Sequence, residues 1–299
     1  MKNIYKIKQK IRGNLKENIS LKSYNTWKVG GKAEYLFEPY DVEDLKVFLS
    51  LLNDEKITFI GNGSNVLIRD NGIKGFVVCL KKSLNNYYLN NNKQFVFEAG
   101  LSCMKIAQIT AKKNYKGLEF LCGIPGTLGG ALRMNAGCYG GNIWENVSKV
   151  ILMNRKGIIV ERDRLEFDVS YRNVKLKDDN FFISASFDLK LNELNDSLDI
   201  IKKFLKDRRI KQPTGLPSCG SVFKNPKNLY AANLVDSLGL KGYRIGGAYI
   251  SKKHANFIIT EKNAKSNDVE ELISYIQKKV HEEKNIYLET EVQFIGIKQ

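Results

Sequence analysis

Two glycine-rich turns, each directly after an apolar run, constrain this chain more than any other feature. The first, Gly61-Asn62-Gly63-Ser64-Asn65, follows Ile57-Thr58-Phe59-Ile60. The second, Gly123-Ile124-Pro125-Gly126-Thr127-Leu128-Gly129-Gly130, follows Leu118-Glu119-Phe120-Leu121-Cys122. Glycine admits positive φ and lets other atoms approach the backbone, and a run of such residues can aim several N–H groups at one anion. One such turn reads as a tight turn and nothing more. Two after strand-like runs point to a grip on a diphosphate, and so to a nucleotide-type cofactor. Neither is a standard fingerprint. There is no G-x-x-x-x-G-K-[ST], which argues against a P-loop ATPase, and no G-x-G-x-x-G opening a helix with an acid about 20 positions on, as a Rossmann NAD site requires.

With 299 residues, 43% of them hydrophobic, the chain has the composition of a soluble protein with room for two or three modules. No apolar run is long enough to span a membrane. The opening Met1-Lys2-Asn3-Ile4-Tyr5-Lys6 lacks the apolar core of a signal peptide, so a cytoplasmic protein is expected. The cysteines (Cys79, Cys103, Cys122, Cys138, Cys219) are odd in number and scattered, without C-x-x-C spacing, and the histidines are only His254 and His281. Reduced thiols fit better than a disulfide framework, and no metal site is expected. The net charge of +16 raises nucleic acid as a partner. The lysines, however, are spread along the chain and mixed with acids, as in Asp268 to Lys284. They read as solvated surface in a lysine- and asparagine-rich sequence, so no nucleic acid is expected, although such a field would gather small polyanions.

Periodicity supplies an α+β reading. Residues 1–20 suggest a helix on the body. Helices are expected over 41–52, capped by Asp41, and over 102–114, 196–209, 229–238 and 267–281. The 196–209 segment carries an apolar side of Leu198, Ile201, Phe204 and Leu205, and Asn267 three residues before Glu270 resembles a capping box. Strands are expected over 58–60, 76–80, 95–97, 147–153, 157–161, 181–191, 256–260 and 286–295, with 181–191 alternating like a half-buried strand. The breaker cluster Lys211-Gln212-Pro213-Thr214-Gly215-Leu216-Pro217 marks a domain boundary.

Three places could carry chemistry. Ser221, in Ser218-Cys219-Gly220-Ser221-Val222-Phe223-Lys224-Asn225-Pro226, is not in a G-x-S-x-G elbow and has no histidine nearby in sequence, so a serine triad has little support. Taken alone it is a turn hydroxyl. Arg172, after Phe167-Asp168-Val169-Ser170-Tyr171, is either a bidentate clamp for carboxylate or phosphate or a surface ion-pair partner. In Leu288-Glu289-Thr290-Glu291-Val292, period-two alternation puts Glu289 and Glu291 on one face and does not choose between them.

Taken in order, the motifs resemble the UDP-N-acetylenolpyruvoylglucosamine reductases of bacterial peptidoglycan synthesis. The matching stretches are Thr26 with Val29-Gly30-Gly31, the two glycine turns, Gly117-Leu118-Glu119, Met134-Asn135-Ala136-Gly137, Tyr171-Arg172 and Gln212-Pro213. Gly220 to Pro226, Gly239-Leu240-Lys241-Gly242, His254-Ala255-Asn256-Phe257 and Glu291-Val292 complete the set. The resemblance runs from about residue 20 to the C-terminus. It implies a vanillyl-alcohol-oxidase-type FAD-binding fold of two subdomains, residues 1–85 and 86–210, plus a C-terminal α+β substrate domain, 211–299. The chain is similar to the shorter subtype, lacking an extra substrate-covering insertion.

The implied reaction reduces the enolpyruvyl ether of UDP-N-acetylglucosamine to UDP-N-acetylmuramate. NADPH gives hydride to FAD, which passes it to the vinyl carbon, and charge develops at the α-carbon as an enolate that needs stabilisation placed in advance. By similarity, Arg172 and Glu291 stand at the carboxylate and Ser221 protonates the α-carbon, a strongly basic acceptor that makes a weak acid adequate. Glu291 would have to be protonated, which burial favours. The cofactor residues implied are Gly61, Asn62, Gly63, Ser64, Asn65, Gly123, Ile124, Pro125, Gly126, Thr127, Gly129 and Gly130 for the diphosphate, with Asn135, Ala136 and Gly137. Tyr171, Lys211, Asn225 and Asn256 are implied at the substrate. Cys138 stands where the family usually has alanine, and Ala232 where it often has glycine; neither removes a chemical group. Cys219 and Cys138 read as small neutral side chains. The alternatives are a same-fold oxidase, which would lack the Gly220–Pro226 segment, and a nucleic-acid binder, for which no localised basic patch is present.

Overall fold

The computed structural model describes residues 4–176 and 179–298. The chain forms two compact units: Met1–Glu17, Tyr35–Asn62 and Gly75–Lys206 make the first, and Asn18–Glu34, Gly63–Lys74 and Asp207–Gln299 the second. The N-terminal expectation falls partly on Met1–Asn3, outside the described residues. No helix among the described residues is long and apolar enough to cross a membrane.

The first unit is organised on a five-stranded sheet in the order Ile159–Asp163, Val147–Asn154, Asn180–Phe187, Phe95–Glu98, Tyr87–Leu89. All neighbours are antiparallel, with Ile151 opposite Ser184 and Ala185 opposite Phe97. The predicted alternation at 181–191 is not what the strand shows, since Phe182 to Ala185 are buried without interruption. Both faces of the strand are covered. Phe182, Ala185 and Phe187 join a core with Phe97, Ile106, Leu128 and Trp144, whereas Ile183 joins Met153, Phe37, Leu45, Phe48 and Phe76. A strand covered on both sides reads as a continuous apolar run.

The strands Asn14–Ser20, Lys32–Glu38, Ile73–Cys79 and Ile57–Ile60, in that order, form a four-stranded sheet that belongs to this unit through residues 14–17, 35–38, 75–79 and 57–60. Ile57–Ile60 runs parallel to Phe76–Cys79. The helix Val42–Ser50 starts as its sequence dictates, with the Asp41 carboxylate accepting the Asp44 N–H at 2.9 Å. Cys103–Lys112 is capped by Ser102 in the same manner. The N-terminal helix is shorter than expected, Ile4–Lys10, and Asn14–Ser20 is a strand. The buried Asp44 carboxylate takes the N–H groups of Arg12 and Gly13 at 2.6 and 2.8 Å, which withdraws them from any continuing helix.

The second unit joins a three-stranded antiparallel sheet (Arg244–Ile245, Ala248–Ile250, Ile258–Thr260) to the helices Ala231–Ser237 and Ser266–Lys284. Val269, Leu272, Ile273, Ile276 and Val280 pack against Trp27, Phe223, Ala248 and Ile258. The Trp27 indole N–H donates to Ile258 O at 2.8 Å. The predicted Asn267–Glu270 box is not the cap of the long helix. Asn267 lies inside the helix and bonds Glu271, while the Asp70 carboxylate accepts the N–H groups of Ser266 and Asn267 at 3.1 and 3.2 Å. The final strand is only Gln293–Ile295, parallel to Val66–Ile68. Residues 286–292 keep the expected alternation of burial at Leu288 and Val292 but pair through one isolated bridge, Phe223 with Thr290.

Candidate active site

In the first unit the two glycine turns meet. The Asn62 carboxamide donates to Pro125 O at 2.6 Å, so a residue of the first turn holds the second. Gly61 lies so close to Thr127 that a Cβ on it would come 2.2 Å from Thr127 Oγ1. Within the second turn, the N–H groups of Ile124, Leu128 and Gly129 are bonded to Leu121 O, Leu101 O and Ala99 O. The N–H groups of Gly126 and Thr127 make no hydrogen bond among the described residues, which narrows the donors this turn can offer an anion. Gly130 faces open space: an added Cβ would meet only Thr127 Oγ1, at 3.9 Å.

Downstream, Met134-Asn135-Ala136-Gly137 is tied to Arg172. Asn135 takes φ of 41°, a left-handed conformation that asparagine tolerates better than most residues. Its amide nitrogen donates to Ser170 O at 3.0 Å, and its Oδ1 is buried with no hydrogen-bond partner among the described residues. A buried acceptor left unpaired costs about 1–3 kcal/mol, so this oxygen is placed for a donor that a ligand would bring. Arg172 and Tyr171 form the turn of the hairpin Val169–Ser170/Asn173–Val174. Arg172 holds φ of 55°, costly for a residue other than glycine or asparagine. Its guanidinium fixes it there by donating to Gly137 O at 2.8 Å and Asn135 O at 3.4 Å, and lies 4.9 Å from the ring centre of the half-exposed Tyr171. Arg172 is thus a non-glycine residue held in a strained turn, its guanidinium bonded to the backbone of the Asn135–Gly137 segment.

In the second unit, Gly63 has φ of 62°, and a Cβ there would fall 2.1 Å from Tyr24 O. Asn65 reaches the C-terminal run: its amide nitrogen donates to Glu291 O at 3.1 Å, and its carbonyl accepts the Gln293 N–H at 3.0 Å. Ser64 lies beside it in the same turn. The Ser221 segment pairs with the same run, as Val222 O accepts the Glu291 N–H at 2.8 Å and Lys224 N–H donates to Glu289 O at 2.9 Å. The structure separates the two glutamates that periodicity left together. Glu289 is ion-paired to Lys224 at 2.5 Å on an exposed edge, while Glu291 is half-buried, with its backbone paired to the residue after Ser221.

The other expected substrate residues are placed individually. Asn225 Oδ1 accepts the Ala231 N–H at 3.1 Å and so caps a helix, leaving the amide end of this exposed side chain toward solvent. Lys211 ends the helix Ser197–Lys211 and is paired to Asp207 at 2.7 Å. Leu198, expected on the apolar side of that helix, is exposed. Asn256 spends its carboxamide on the backbone of Phe223. Cys219 is buried, its thiol pushed up to about 12 by desolvation, and contacts Thr26 Oγ1 at 3.3 Å and Val66 O at 3.5 Å. It is a neutral spacer beneath the Ser221 loop. No local pattern marks Lys224 as the partner of Glu289, because the two are 65 positions apart.

Comparison with known proteins matches this architecture. Residues 33–163 fit the profile of an FAD binding domain, and residues 212–295 that of the UDP-N-acetylenolpyruvoylglucosamine reductase C-terminal domain. The enzyme of that name from Legionella pneumophila (strain Lens) is 46% identical over 287 residues, covering 95% of this chain and 93% of the relative. That of Methylococcus capsulatus is 42% identical, with 95% and 94% covered. The solved UDP-N-acetylenolpyruvylglucosamine reductase of Thermus caldophilus superposes with a TM-score of 0.82 at 30% identity, covering 96% of this chain and 100% of that one. With an FAD-binding domain followed by the reductase C-terminal domain, the chain belongs to the UDP-N-acetylenolpyruvoylglucosamine reductase family.

Proposed function

We propose that this chain reduces UDP-N-acetylglucosamine enolpyruvate to UDP-N-acetylmuramate with NADPH as reductant. The observation that carries the reading is the pairing of the Ser221 segment with Glu291 inside the matched C-terminal domain. FAD, when bound, supplies the two-electron chemistry that couples NADPH oxidation to reduction of the vinyl bond. The residues that would hold it are Gly61–Asn65, Gly126, Thr127 and Gly130, with Asn135, Ala136 and Gly137. The orphaned Asn135 Oδ1 and the open side of Gly130 fit such a group. Residues 1–85 and 86–210 would serve the cofactor and 211–299 the substrate.

Arg172 places a fixed positive charge for the substrate carboxylate, where charge develops as the vinyl carbon is reduced. Ser221 Oγ–H gives the α-carbon its proton. Glu291, protonated, hydrogen-bonds the carboxylate instead of repelling it. Tyr171, Lys211 and Asn225 contact the substrate. The test is anaerobic absorbance of the purified protein. NADPH should bleach the flavin, and the enolpyruvyl substrate should restore its yellow colour. Bleaching without recovery would keep a flavin reductase but remove this substrate, and no flavin spectrum after adding FAD would sink the reading.

A further inference from the structure

We propose that Asn256 is a positioning residue for proton delivery: its carboxamide fixes the backbone of Val222 and Phe223, and through it sets the Ser221 hydroxyl against the Glu291 run. The inference rests on the reading that Ser221 protonates the α-carbon. Asn256 is 3% exposed, which leaves it almost no surface to present to a substrate. Its Oδ1 accepts the Phe223 N–H and its Nδ2 donates to Phe223 O, both at 2.9 Å, and its own carbonyl accepts the Val222 N–H at 2.9 Å. The fourth backbone group of these two residues, Val222 O, accepts from Glu291. One asparagine therefore satisfies three of the four backbone polar groups that follow Ser221, and the Glu291 run satisfies the last. The side-chain amide stands in for a neighbouring strand, with one donor and one acceptor at strand spacing.

Ser221 itself makes no hydrogen bond among the described residues. Gly220, just before it, has φ of 72°, and an added Cβ there would meet nothing within 4 Å. On that side the loop is held by Cys219, two residues away. The direction of the Ser221 hydroxyl is thus inherited from the Val222–Phe223 backbone. An error of about 1 Å in a reacting group can cost about 100-fold in rate.

The test uses the FAD-loaded enzyme and follows the flavin band anaerobically in each half-reaction, with hydrogen exchange of the 220–226 backbone as a second readout. Asn256→Ala should slow substrate-driven recovery of the band about 10- to 100-fold. It should leave bleaching by NADPH within about two-fold and speed exchange at Val222 and Phe223. In a Ser221→Ala background the same change should cost less than about two-fold more, because there is no longer a hydroxyl to aim. Asn256→Asp keeps the volume and loses the donor while ionised. Its rate relative to the parent should rise as pH falls, because the neutral carboxyl restores a donor and an acceptor. Losses that add in the double variant, equal losses in both half-reactions, or an Asn256→Asp ratio flat with pH would each overturn the proposal. If Asn256→Ala loses its fold, the Asn256→Asp profile decides alone. If the parent enzyme itself is not reoxidised by the enolpyruvyl substrate, the functional reading has failed, and the proposal with it.

Discussion

Substituting Gly61 by alanine isolates the contact between the two glycine turns. Gly61 is not in the left-handed region, so its backbone accepts alanine, and the effect must come from space. The new Cβ would lie 2.2 Å from Thr127 Oγ1, 3.3 Å from Thr127 Cβ and 3.4 Å from Cγ2. Turning the Thr127 Cβ hydrogen toward Gly61 would relieve the 2.2 Å contact only by carrying both Oγ1 and Cγ2 to new places in a buried site. Thr127 is 3% exposed, and its carbonyl holds the Ala131 N–H at 2.9 Å, so the turns must separate by about 1 Å or the pocket must repack. Overpacking of this kind costs about 1–3 kcal/mol. Where FAD draws the turns together, that cost falls on binding, and Kd should rise about 5- to 150-fold. Where it falls on the free protein, Tm should drop by about 2–4 °C per kcal/mol for a chain this size. The assay is fluorescence titration of the apo-protein with FAD beside a thermal melt. The double variant Gly61→Ala/Thr127→Ala removes Oγ1 and Cγ2, and should return to within about three-fold of Thr127→Ala alone. Unchanged affinity and Tm in the single variant, or a loss that persists undiminished in the double, would refute the clasp.

Burial keeps the Cys103 and Cys219 thiols at about 12 and raises that of Cys79, and Cys122 is buried as well. A thiol reagent at pH 8 should therefore label the native protein at the half-buried Cys138 at most, and all five cysteines in denaturant; fast labelling of Cys219 would show that the Ser221 loop opens. Burial lowers the pKa of His254, whose Nδ1 accepts the Asn256 N–H at 3.3 Å. The unfolded chain then binds the proton more readily, so this contribution is present above about pH 6.5 and is lost as pH falls toward the depressed folded value. NMR titration should place the midpoint below 6.5, and a higher midpoint would reverse the sign. Arg172→Lys cannot bridge Asn135 O and Gly137 O with a planar fork, so kcat/KM for the enolpyruvyl substrate should fall about 100-fold, and parent-like kinetics would remove Arg172 from the site. Glu291 can hydrogen-bond the substrate carboxylate only while protonated, so kcat should fall as Glu291 ionises and Glu291→Gln should remove that fall; a pH–rate profile unchanged by the substitution would remove Glu291 from that role.

Local rules carried the sequence reading where local physics decides. Asp41 and Ser102 announce their helices because the cap and the capped N–H lie three residues apart. The start of Ser266–Lys284 is capped partly within one turn, where Asp268 accepts the Lys265 N–H at 2.9 Å, and partly by Asp70, which arrives from 196 positions away and leaves no local signal. Alternation found the buried Leu288 and Val292 correctly but overstated the final strand. A period-two pattern records which side chains face the core, and here the backbone of 286–292 pairs at a single bridge. The two glycine turns were legible one by one. Their contact through Asn62 and Pro125 was not, since no spacing rule joins positions 63 apart.

The asparagines show best why composition misled. A lysine- and asparagine-rich composition reads as solvated surface, yet Asn25, Asn135 and Asn256 are buried, and Asn62 and Asn65 bond distant backbone. Asn25 donates to Leu21 O and Val29 O, Asn146 to Gly117 O and Asn256 to Phe223 O. Each contact reaches a backbone carbonyl that lies outside the named strands. A buried backbone carbonyl without a partner would cost about 1–3 kcal/mol. A lysine could donate to it, but only by burying a charge, and a serine reaches less far and carries one donor. Asparagine offers a donor and an acceptor on a short neutral stem. The backbone after Ser221 is therefore organised by a neutral amide, with Lys224 paired to Glu289 beside it, and on the proposed function the remaining lysine charge would draw a polyanionic substrate toward the protein.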